Sequence, residues 1–151
     1  MEGSRDAGVL AEQMLASAYE LILGGWCQGM SAQDELGRAI EPSSAFARSW
    51  SAPGALERVW RRMPLGDEGA LPAFERANLA LSAAIHGVPQ RWNDAVDRTR
   101  EQVLDALVQA SGLISALRER SLEEDLLDDL ERYGTVPDAL SSARSSADMA
   151  A

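Results

Sequence analysis

Lysine is absent from this chain, and cysteine and histidine occur once each, as Cys27 and His86. All 14 bases are arginine, which reads as coding bias and carries no mechanism. A single cysteine excludes an internal disulfide and fits a reducing compartment, the cytoplasm. One histidine and one cysteine cannot furnish a zinc site, and no acidic spacing matches a calcium loop, so neither metal nor cofactor is expected. Bases are also outnumbered, 14 against 24 acids in 151 residues, for a net charge of -10. Nucleic acid is bound by clustered positive charge, and Arg58, Arg61 and Arg62 make too small a patch to supply it. No run approaches the roughly 20 apolar residues of a membrane span. The N-terminal apolar stretch is broken by Glu12, Gln13 and Glu20, so no signal peptide is expected. The glycines are too scattered for a phosphate loop, and no nucleophile motif is present.

Aromatics make up only 5% of the chain, so alanine, leucine and valine must fill the core. Alanine favours helix, and the few β-branched residues exclude an extensive sheet. The expected fold is all-α: a compact bundle of about five helices with a short irregular or hairpin insertion after the first. One helical domain is expected over residues 1–136, with a disordered Ser/Ala-rich tail over 137–151.

Apolar spacing predicts a first helix over residues 6–23, with Leu10, Met14, Leu21 and Ile22 on one face. Gly24 and Gly25 should end it through a left-handed cap. In the insertion, residues 26–42, Met30 to Ala32 could pair with Arg38 to Ile40. Helix should return at Ser43 or Ser44 and carry through Trp50. Ser51 and Pro53 should restart it, with Leu56, Val59 and Trp60 inward and the arginines outward. A third helix over residues 70–86 should place Phe74, Leu81 and Ile85 together, with Gly87 as its stop and His86 serving its carbonyl end. Residues 88–98 read as irregular. Thr99 and Gln102 form a capping box, and the helix they open carries a stripe of Val103, Leu107, Ala110, Ile114 and Leu117, widened by Leu104 and Val108. An apolar arc that wide predicts a central helix. Ser121 and Glu124 repeat the capping box and should open a separate last helix to Tyr133. It holds six acids, from Glu123 to Glu131, against Arg132 alone, half of the net charge. Its Leu122, Leu126, Leu127 and Leu130 either pack in the core or dock a partner or a second copy.

Two segments fit no period yet hold the rarest chemistry: Trp26-Cys27-Gln28-Gly29 and Trp92-Asn93-Asp94. Tryptophan in a loop folds inward and partly desolvates the polar groups beside it. Two readings stand. In one, Asp94 is a general base or anchor, and Asn93, Gln28 and Arg98 orient a ligand between Trp26, Trp50 and Trp92. In the other, Asn93 and Asp94 form an Asx turn at a helix entry and Arg98 pairs with the carboxylate. Cys27 lacks a base or positive field to activate it, and an inert buried thiol is expected.

The runs Gly25-Trp26-Cys27-Gln28-Gly29, Trp50-Ser51-Ala52-Pro53-Gly54-Ala55-Leu56 and Trp92-Asn93-Asp94 with Arg98-Thr99 resemble an uncharacterised actinobacterial family of unknown function. The resemblance spans about residues 10–117. It implies a helical domain and supplies no activity. Members carry Trp-Cys-Ala-Leu-Gly-Ala-Leu where this chain has Ser51 and Pro53.

These observations lead to a small acidic binding or interaction domain, with a protein or small molecule as partner. The alternative is a cofactor-independent enzyme of bacterial secondary metabolism, with Asp94 as base in a tryptophan-lined pocket.

Overall fold

The computed structural model describes residues 6–64 and 66–132. Five helices occur among them: α1 (Ala7–Gly24), α2 (Ala52–Arg61), α3 (Ala70–Ile85), α4 (Pro89–Asn93) and α5 (Arg100–Arg132). The only sheet among the described residues is two-stranded and antiparallel, β1 (Ala32–Gln33) with β2 (Ser49–Trp50), in the register Ala32 to Trp50. These residues fall into two units, the first ending at Ala116 and the second beginning at Leu117.

In the first unit α1 packs against both α2 and α3. Asp6 caps it, its carboxylate accepting from the N–H groups of Gly8 at 2.6 Å and Val9 at 3.3 Å. Leu10, Met14, Leu15, Ala18 and Ile22 are buried along it. Seven α1 residues are buried against six of the much longer α5, so α1 rather than the Thr99 helix is the central element. Small residues let the helices approach closely, and Ala11, Ala18, Ala55, Ala73, Ala77 and Ala110 are wholly buried.

Gly25 is extended, with φ -179°, instead of the expected left-handed cap. Its necessity is steric: a Cβ there would collide with the Arg48 carbonyl oxygen. Residues 43–50 form turns and then β2, not the expected helix. The Ser44 hydroxyl accepts from Phe46 N–H at 3.0 Å, which competes with helical pairing. Arg58 donates to the Pro42 and Ser44 carbonyls and Arg62 to that of Ser43, taking acceptors a helix would need. Arg58 therefore turns inward, contrary to expectation, with its guanidinium 5.0 Å from the centre of the Trp50 ring. The expected hairpin is reduced to one bridge, Gln33 to Ala39, around a turn in which Asp34 accepts from Leu36, Arg38 and the Arg38 guanidinium.

Ser51 caps α2 as expected, accepting from Gly54 N–H at 3.0 Å. His86, with φ 56°, supplies the left-handed end of α3, one residue before the expected stop at Gly87. Residues 89–93 form α4 where irregular chain was expected; Pro89 sets the first φ, and five residues are too few to display a period.

The capping box forms in both directions: Thr99 N–H donates to Gln102 at 3.1 Å, and Gln102 N–H to Thr99 at 3.2 Å. No second helix starts at Ser121. Arg118-Glu119-Arg120 are good helix formers with no glycine or proline among them, so α5 continues unbroken. Val108 and Leu117, expected in the buried stripe, are 56% and 64% exposed. In the second unit Leu122 and Leu126 are exposed, while Leu127 and Leu130 are half-buried. The expected tail, residues 137–151, and the helix end at Tyr133 lie outside the described residues.

Candidate functional site

The two tryptophan segments meet, and Asn93 is their hub. It sits at the end of α4 with no exposed surface. Its Oδ1 accepts from the Trp26 indole N–H and from Ala52 N–H, both at 2.9 Å. Its Nδ2 donates to the Cys27 carbonyl at 3.1 Å and to Asp94 at 3.0 Å. A primary amide has two acceptor and two donor positions, and here all four are filled. Ala52 is the first residue of α2, so Asn93 also satisfies one of the free N–H groups every helix start leaves.

Around this hub the neighbours interlock. Gln28 donates to the carbonyls of Asn93 at 2.9 Å and Ala95 at 2.8 Å. Asp94 accepts from Gly29 N–H at 2.9 Å and from Gln90 at 3.0 and 3.2 Å. The Gln90 side-chain amide oxygen, Oε1, in turn accepts from the buried Ser51 hydroxyl at 3.0 Å. Partial burial pulls the Asp94 carboxyl upward, but the Gly29, Asn93 and Gln90 donors outweigh it and hold the group below its usual value. A carboxylate so held is a weak base.

Arg98 does not pair with Asp94. Its guanidinium lies 3.9 Å from the centre of the Trp92 ring, and its Nε donates to the Trp92 carbonyl at 2.8 Å. Trp50 contributes backbone to the knot, pairing with Gly25 and Cys27, while its indole N–H turns to the Pro42 carbonyl. Trp26, Gln28, Asn93 and Asp94 are thus brought together; the Trp50 indole points to a different loop. Cys27 is buried beside the knot, and desolvation pushes its thiol up despite an opposing hydrogen bond from Ser49. Among the described residues no buried side-chain polar atom lacks a partner, and no group of acidic, histidine or cysteine side chains is placed to hold a metal ion. No described helix is long and apolar enough to cross a membrane.

A concave surface lies elsewhere among the described residues. A groove of about 490 Å³ runs between α1 and the part of α5 inside the first unit. Leu15, Leu107 and Val108 line it with Tyr19; Ala16, Ser111, Gly112 and Ser115 give it small walls; Glu12 and Glu20 complete it. It shares no lining residue with the tryptophan segments.

A family model matches residues 7–113, most of the chain. The protein belongs to a family of unknown function, DUF6197. No curated protein and no solved structure matches it. The DUF6197 match takes in both tryptophan segments and the groove as far as Gly112, and it stops before the acidic half of α5.

In this DUF6197 chain, reading the residues alone missed Gln90, which reaches Asp94 from one helical turn away, the i, i+4 spacing being its only signal. It also treated Ser51 as a cap and nothing more. The groove was missed entirely. Its trace in the sequence is Gly112, a glycine inside an otherwise strong helix.

Proposed function

We propose that this protein is a non-catalytic binding module whose contact surface is the α1/α5 groove and whose tryptophan knot is its structural foundation. The separation of the two carries the reading. The polar groups of the tryptophan segments hold each other in the knot, whereas the open groove combines Glu12, Tyr19 and Glu20 with small and apolar side chains. A base at Asp94 would need a carboxylate released from its donors, and that weighs against the enzyme reading, in which Trp26, Gln28, Trp50, Trp92, Asn93 and Arg98 would surround a substrate. The exposed Leu122 and Leu126, beside acids from Glu123 to Glu131, are a second contact surface in this reading, open to another protein or a second copy. The buried single thiol and acidic balance fit a soluble cytoplasmic setting in an actinobacterial cell.

Site-specific photocrosslinking in cells of the native host tests this. A photoreactive residue replacing Val108, in the groove, should yield a discrete crosslinked protein. One replacing Val96, which is 94% exposed but outside the groove, should not. Equal products from both positions, or none from Val108, would overturn the reading.

A further inference from the structure

We infer that Arg48, Arg58 and Arg62 form a site for a single phosphate monoester group, carried by a small molecule or by a side chain of another protein. The three guanidiniums gather on one turn. Arg48 donates to the Ala45 and Ala47 carbonyls at 3.0 and 3.1 Å. Arg58 donates to those of Pro42 and Ser44 at 3.0 and 2.8 Å, and Arg62 to that of Ser43 at 2.9 Å. Each arginine commits one nitrogen in this way, Nη1 in Arg48 and Arg58 and Nη2 in Arg62. The rest of each fork makes no hydrogen bond among the described residues, and Arg48 and Arg62 are exposed. The half-buried Ser43 hydroxyl, on the same turn, is likewise unengaged among the described residues.

No carboxylate answers this charge. Arg61 pairs with Glu57 at 2.7 Å and Arg38 with Asp34 at 3.0 Å, but Arg48, Arg58 and Arg62 have no ion pair among the described residues. In a chain of net charge -10, this is a local excess of the scarcer sign. The three also act on each other: burial, and then the Arg62 and Arg48 charges, push the Arg58 guanidinium below its ordinary value. Bracing the turn explains one nitrogen of each arginine. It does not explain three like charges held together at mutual cost.

Charge and shape choose the ligand. Glu41 is the one acid from Ala39 to Leu56; it heads the turn and makes no ion pair among the described residues. Three positive charges against that one leave two, and the carbonyl end of α2 offsets about half a charge. A phosphate monoester brings about -1.5 to -2 at neutral pH, with three acceptor oxygens for forks arriving from different sides. A carboxylate brings one charge and two oxygens, enough for a single fork. One phosphate also needs far less than the extended basic face of a nucleic-acid binder. None of these residues lines the α1/α5 groove, so this site and the binding-module reading stand or fall separately.

Backbone-amide NMR of the full chain tests this, with glycerol phosphate as the probe and acetate at equal ionic strength as the reference. Amides of residues 43–48 and 58–62 should shift with glycerol phosphate, at an affinity about tenfold above that for acetate. Arg48→Gln and Arg62→Gln should each weaken binding about fivefold, the upper range for an exposed ion pair. Arg76→Gln, at an exposed arginine of α3, should leave it unchanged. A short phosphoserine peptide separates the two sources: tighter binding than glycerol phosphate points to a partner protein, equal or weaker binding to a small ester. Acetate matching glycerol phosphate, shifts confined to other parts of the chain, or full affinity in both glutamine variants would each overturn the inference. The first two of these outcomes are read on the parent protein, so a variant that fails to fold does not shield it.

Discussion

Asn93 and Gly112 mark two regions built on opposite terms. At Asn93 a polar side chain is fully buried and each of its four hydrogen-bonding positions is matched by Trp26, Ala52, Cys27 or Asp94. At Gly112 there is no side chain, and the space one would occupy is empty. The knot ties the chain entering from α1 to the start of α2 and the end of α4, three places far apart in sequence. The groove ties nothing. Polar chemistry concentrated in a short motif is therefore a poor guide to function here, because low-dielectric surroundings make a fully matched amide hub worth keeping for the fold alone.

The contrast predicts stability changes of opposite sign. Asn93→Ala should be the most damaging, leaving the Trp26 indole N–H, the Ala52 N–H and the Cys27 carbonyl without their partner. At roughly 1–3 kcal/mol for each buried group left unpaired, a loss of about 3 kcal/mol or more should appear in urea unfolding. A loss below 1 kcal/mol would dissolve the distinction between knot and groove.

Asp94→Asn should cost less, about 1 kcal/mol at neutral pH, since the Gly29 N–H keeps an oxygen to bond. Its signature is in the pH dependence. The Asp94 carboxyl is held low in the folded state, so its contribution is complete above the unfolded value and lost as pH falls through the folded one. Stability measured below about pH 4 should therefore fall less steeply in Asp94→Asn than in the parent. Part of the acid loss should persist, because Asp34 is also held low, chiefly by the Arg38 backbone N–H.

Gly112→Ala should produce the smallest change and the opposite one, a gain of about 0.5–1 kcal/mol in thermal unfolding. A loss would mean that Gly112 serves the fold after all and would remove one support for the groove as a contact surface.

Local signals were legible where a cap or a period operates over one or two turns. The Thr99–Gln102 box and the Ser51 cap are both formed, and on the expected α1 face Leu10, Met14 and Ile22 are buried and Leu21 partly so. What escaped were outcomes decided at long range. Residues 43–50 lose their helix to Arg58 and Arg62, whose side chains reach back from α2. Ser121 and Glu124 have the composition of a cap, but a cap residue must itself leave helical geometry, and Ser121 lies inside an unbroken α5. The segments holding Trp26 and Asn93 stood out by composition. Their sharing one amide 67 residues apart did not, because no local pattern encodes it.

The burial of Cys27 has a practical corollary. It is the chain's only thiol, it sits in the core, and desolvation disfavours its thiolate, the form that reacts with maleimides. The native protein should thus stay unlabelled at neutral pH without first replacing its cysteine. A new cysteine at an exposed position such as Val108 would then be the single reactive handle, ready to carry a dye or spin label on the wall of the groove.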